Sequence, residues 1–91
     1  MIDLVVGRIV LVEPHPGARA PSHLVTVDLG GRGRRETSLP AGDYTEDELE
    51  GRQVVCALEG DDAVVLAAHA RGRGLVLLRP DREVAEGTPV A

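Results

Sequence analysis

Lysine, phenylalanine and tryptophan are absent from this 91-residue chain, and tyrosine, cysteine and methionine occur once each. One cysteine, Cys56, excludes an internal disulfide and any zinc cluster built on cysteines. A single aromatic side chain leaves no platform on which a tract of nucleic-acid bases could stack. Apolar runs such as Ala63–Ala68 and Leu75–Leu78 are short, far below the roughly 20 residues that cross a bilayer. Met1-Ile2-Asp3 has no basic segment followed by an apolar core, so no signal peptide is expected and the chain reads as cytoplasmic, with no membrane partner.

What is present describes a small folded domain. Hydrophobic residues make up 43% and charged residues 27% of the chain, too apolar for disorder. The length suits one domain spanning residues 1–91. Fifteen acids against ten bases give a net charge of −5, which argues against wholesale attraction to nucleic acid. A locally basic face on an acidic body remains open. All ten bases are arginine.

The pattern is mostly strand. Leu4–Val12 is rich in Val, Ile and Leu and stops at Glu13-Pro14-His15-Pro16-Gly17. Leu24–Leu29 alternates in part, Gly30-Gly31-Arg32-Gly33 supplies a reversal, and Arg34–Leu39 returns. Further strands are expected at Gln53–Leu58, Ala63–Ala68 and Leu75–Leu78, with Val84–Val90 closing the chain. The one helix is expected at Thr45–Glu50, where Thr45 and Glu48 have capping-box spacing and three acids fill the first turn. Short strands with one short helix predict an all-β fold, a small closed or nearly closed barrel of five to six strands. The helix falls between the third and fourth strands, where five-stranded OB barrels carry theirs; a small SH3-like barrel fits the pattern second best.

Two groups of residues suggest a ligand site. Arg32, Arg34 and Arg35 surround one glycine-rich reversal and Arg71 and Arg73 another. Guanidinium groups on such tips can grip phosphates bidentately; equally, arginines at turn tips serve solubility alone. Thr37 and Ser38 can donate to phosphate or ribose if they face outward. His15, His23 and His69 lack ligand spacing, no nucleophile–base pair is visible, and no metal, cofactor or enzymatic role is expected.

Several motifs resemble a known family. Ile2–Val10 with Val12–Arg19, Pro21-Ser22-His23-Leu24 leading to Val27-Asp28-Leu29-Gly30, Tyr44–Val55 containing Leu49-Glu50-Gly51-Arg52-Gln53-Val54, and Pro80–Val84 with Gly87-Thr88 are similar to the tRNA-binding OB domains. That family includes the C-terminal domain of bacterial methionyl-tRNA synthetases and the CsaA-type secretion chaperones. The chain reads as a shortened member: Leu58-Glu59-Gly60-Asp61-Asp62 replaces a segment of about ten residues found in the family, and Asp62 stands near a family serine, where an acid would repel phosphate. The resemblance implies a non-enzymatic module binding tRNA or another structured RNA through Arg32, Arg34, Arg35, Thr37, Ser38, Arg71 and Arg73. It also implies a homodimer formed through the N-terminal strand and Val84–Val90. Two other roles stay open, a CsaA-like chaperone for unfolded or partner proteins and a structural OB domain that has lost its ligand.

Overall fold

The computed structural model describes residues 3–91; Met1 and Ile2, which fall in the first motif and in the segment read for a signal peptide, lie outside the described residues. The strands are β1 (Asp3–Pro14), β2 (Ser22–Asp28), β3 (Arg34–Pro40), β4 (Gln53–Glu59), β5 (Asp62–Val65), β6 (Ala67–Ala70) and β7 (Gly74–Leu77), with helix α1 (Glu46–Leu49) between β3 and β4. The first five form an antiparallel sheet in the order β3-β2-β1-β4-β5, and its two edge strands, β3 and β5, lie against each other. The result is a nearly closed five-stranded barrel, the OB architecture expected.

β1 makes the closure possible. Its first half pairs with β4, from Asp3 opposite Leu58 to Arg8 opposite Gln53. Its second half pairs with β2, from Arg8 opposite Asp28 to Pro14 opposite His23. Val10 is an extra residue between Ile9, opposite Val27, and Leu11, opposite Thr26, and such a bulge bends a strand and tightens its twist. Gly7 sits at the crossing. A Cβ there would collide with Val27 Cγ1 and lie 2.9 Å from Leu29 Cδ2, so the approach of β2 to β1 depends on the missing side chain.

The barrel interior is aliphatic. Ile9, Val25, Val27, Leu29, Val54 and Cys56 are fully buried, with Leu49 of α1 closing one end. The predicted capping box holds α1 in place: Glu48 N–H donates to Thr45 Oγ1 and Thr45 N–H to Glu48 Oε1. Burial pushes the Cys56 thiol up to about 11, so it stays protonated at neutral pH and is a core residue.

One expected element differs. The run Ala63–Ala68 is not one strand: Leu66 N–H donates to the Val55 carbonyl and the Leu66 carbonyl accepts from Leu78 N–H. The chain thereby leaves β4 at Leu66 and pairs with β7, giving a separate β6–β7 hairpin with Ala67 opposite Leu77. Val84–Val90 closes the chain without forming a regular strand. It straps the other edge of β1's first half, with Gly87 N–H donating to Val6, Val6 N–H to Thr88 and Val90 N–H to Leu4. Backbone edge groups that would otherwise be unpaired are thus satisfied within the chain.

Substituting Gly7→Ala should destabilise the fold by roughly 1–3 kcal/mol, the range for overpacking a tight core. Urea denaturation measures it, and an unchanged midpoint would mean that β2 can retreat from β1 without cost.

Candidate nucleic-acid interface

The β2–β3 reversal is a short 3-10 turn over Gly30–Arg32. Gly30 and Gly33 have positive φ, 64° and 83°, which glycine adopts without strain. Leu29 N–H donates to the Gly33 carbonyl at 2.8 Å, and Gly30 N–H to Asp28 Oδ1 at 2.9 Å. This turn carries three of the predicted arginines. Arg32 pairs with Asp3 at 3.3 Å and Arg34 with Asp28 at 3.9 Å. Arg35 Nη1 donates to the Gly60 carbonyl at 3.1 Å, tying the start of β3 to the tight β4–β5 turn across the seam of the barrel.

The β3 alternation separates the predicted residues by face. Arg34, Glu36 and Ser38 are exposed, whereas Arg35 and Thr37 are half-buried and share the inward parity of Leu39. Register places Arg8, Asp28 and Arg34 in one cross-strand row and Leu11, Thr26 and Glu36 in the next. The outer wall of β1–β3 therefore mixes charges of both signs. Ser38 Oγ lies 3.0 Å from His15 Nδ1 of the β1–β2 loop.

Arg71 and Arg73 occupy the exposed tip of the β6–β7 hairpin, whose reversal uses Gly72 and Gly74 at φ 79° and 73°. This tip faces the far end of β3. Arg73 and Leu75 line a cleft with Asp43 and Tyr44, in the loop after Pro40, while Arg34 begins β3 at the opposite end. The two arginine groups are thus separated by the length of β3. Among the described residues no carboxylate pairs with Arg71 or Arg73. The shortened segment is a hairpin with Glu59 opposite Asp62, both exposed.

Sequence reasoning missed the residues that fix the strap. Arg8 donates to Glu86 and Glu83 carboxylates, 2.5 Å each, and to the Gly51 carbonyl at 2.9 Å. Gln53 clamps the backbone of Val84 at both ends: its Nε2 donates to the Val84 carbonyl at 2.6 Å and its Oε1 accepts Val84 N–H at 3.1 Å. Gly30 and Gly87 touch here as well, since a Cβ on Gly87 would sit 2.6 Å from the Leu29 carbonyl. The Leu49–Val54 motif is thereby explained: Leu49 plugs the barrel, Gly51 turns at φ 85°, Arg52 lies over the Tyr44 ring and Gln53 holds the strap.

The hydrogen bond from Arg8 holds the Glu86 carboxyl below the usual glutamate range. A group that binds its proton less readily when folded contributes stability above its unfolded value, near pH 4.3, and loses it as the pH falls through the lowered folded value. Thermal melts of the protein and of Glu86→Gln should therefore differ at pH 7 and differ less at about pH 3, on the acid side of the unfolded value. An equal gap at both pH values would contradict the ion-pair account.

No family model matches the chain. The methionine–tRNA ligase of Archaeoglobus fulgidus is 33% identical over 97 residues, and that of Pyrococcus furiosus 37% identical over 97 residues. Each alignment takes in 98% of this chain but only 15% and 13% of the ligase. The matched stretch is longer than the 91 residues here, so the ligases carry residues that this chain lacks. The crystal structure of a CsaA chaperone from Picrophilus torridus superposes with a TM-score of 0.91 at 26% identity, covering 99% of this chain and 92% of that one. A CsaA chaperone structure from Bacillus anthracis gives 0.90 at 25% identity, with 99% and 91% covered. Identity along nearly the whole chain, together with superposition on almost complete CsaA barrels, assigns this chain to the tRNA-binding OB-domain family.

Proposed function

We propose that the chain is a non-enzymatic, cytoplasmic RNA-binding module whose ligand is tRNA or a similarly structured RNA. One observation carries the reading: 98% of the chain aligns, at 33–37% identity, with a small part of enzymes named for their action on tRNA. Phosphate contacts come from the turn tips. Arg71 and Arg73 contribute most, because no carboxylate among the described residues pairs with them, while Arg32 and Arg34 must exchange Asp3 and Asp28 for phosphate. Arg35 borders the first tip, while Thr37 and Ser38 stand farther along β3, with Ser38 beside His15.

The module acts as one domain and as a homodimer. Support for the dimer comes from the outer face of β1, β4 and β5, where Leu4, Ala57 and Val64 form a cross-strand row and Val64 is 57% exposed. A second reading, protein binding, is favoured by the TM-score of 0.91 to a CsaA chaperone. It would use that apolar face.

Fluorescence anisotropy with labelled tRNA distinguishes the readings. Binding should be measurable at 50 mM salt and fall steeply by about 200 mM. Arg71→Ala/Arg73→Ala should lower both the affinity and the salt slope, by about one unit for each phosphate no longer engaged, and Arg32→Ala/Arg34→Ala should do so less. Absence of binding at 50 mM salt would overturn RNA binding. Salt-resistant competition by an unfolded apolar peptide would favour the chaperone role. Sedimentation of the same samples as a 9.6 kDa particle would rule out the dimer.

A further inference from the structure

The cleft beneath the β6–β7 tip has a chemistry that phosphate binding does not use. Its volume is about 410 Å³, within the range of sites that take a small ligand. Asp43, Tyr44 and Glu48 form one side, and Arg73, Leu75 and Val76 form the other. Gly42, with φ at 55°, brings the loop after β3 close to the hairpin: a Cβ there would lie 3.5 Å from Leu75 Cβ.

The polar groups in the cleft differ in how committed they are. Glu48 accepts the Thr45 N–H in the capping box. The Tyr44 hydroxyl oxygen accepts Leu77 N–H at 3.1 Å, which leaves its own proton to donate. The exposed Asp43 carboxylate takes part in none of the side-chain hydrogen bonds or ion pairs among the described residues. The cleft thus offers a carboxylate with two acceptor oxygens, an apolar wall and, at its mouth, a guanidinium.

We infer that this cleft receives one unstacked guanine base of the bound RNA, with Asp43 reading its Watson–Crick edge and Arg73 holding its phosphate. Guanine presents adjacent N1–H and N2–H donors, which match both oxygens of one carboxylate. Adenine and cytosine pair one amino donor with an acceptor, and uracil sets its single donor between acceptors, so each leaves an acceptor facing Asp43. Single-stranded and looped RNA is read in this way, by splayed bases packed on side chains and hydrogen-bonded along that edge. One tyrosine suffices for one base. The inference rests on the RNA-binding reading and adds a base preference to it.

Four fluorescein-labelled pentaribonucleotides, uridine throughout except for a central G, A, C or U, test it by anisotropy at 50 mM salt, with tRNA measured in parallel. The guanine-containing probe should bind about tenfold more tightly than the others, as expected for one bidentate base contact. Asp43→Asn should erase that preference, and Arg73→Ala should weaken all four probes alike. In one-dimensional proton spectra the ring signals of Tyr44, the chain's sole aromatic residue, should shift with the guanine probe. Equal binding of all four probes, or a preference that survives in Asp43→Asn, overturns the guanine site while tRNA binding stands. Binding of tRNA with no binding of any probe overturns the guanine site alone, and failure to bind both tRNA and the probes overturns both readings.

Discussion

β1 has to serve β4, β2 and the C-terminal strap, and it can do so because position 7 has no side chain and position 10 is a bulge. The crossing at Gly7 lets Val27 and Leu29 pass close enough to fill the barrel centre. With β1 bent there, β3 and β5 meet, and the sheet loses most of its exposed edge. The strap then covers the remaining edge of β1, held by Arg8 and Gln53, which flank the same crossing on opposite strands. Each fully buried aliphatic side chain contributes about 1.5–3 kcal/mol, and closure of the backbone edges adds protection against pairing with another chain.

Closure also decides where a ligand can be met. The outer wall of β1–β3 alternates charges, as in the row Arg8, Asp28 and Arg34, and a polyanion gains little from such a row. The turn tips are different. At one end of β3, Arg35 is drawn onto the Gly60 carbonyl by the short β4–β5 turn, while Arg32 and Arg34 are balanced by Asp3 and Asp28. At the other end the β6–β7 tip carries two arginines with no paired carboxylate among the described residues. A chain of net charge −5 can in this way still present points of positive charge to a polyanion.

The elements set by local physics were legible in the sequence. β-Branched runs marked β1, β2 and β4, the glycine-rich reversal marked β3, and the Thr45–Glu48 spacing marked the helix and its capping box. The break at Leu66 was not legible, because Ala63–Ala68 is uniformly apolar and the switch of partner depends on Val55 and Leu78. The separation of the two arginine groups depended on strand order and on the partner switch at Leu66, which no local pattern specifies. Arg8 and Gln53 looked like ordinary strand residues because their partners, Glu86 and Val84, lie 78 and 31 positions away. Asp43 likewise looked like a loop acid until the hairpin was seen to fold over it.

Nuclear magnetic resonance of isotopically labelled protein titrated with tRNA tests the central claim most directly, that contact is made at the turn tips rather than on the barrel wall. Backbone signals of residues 71–74 should shift or broaden most, those of residues 30–35 less, and the changes should reverse on raising the salt. Changes centred on Leu4, Ala57 and Val64 would contradict the account and place the ligand on the apolar face.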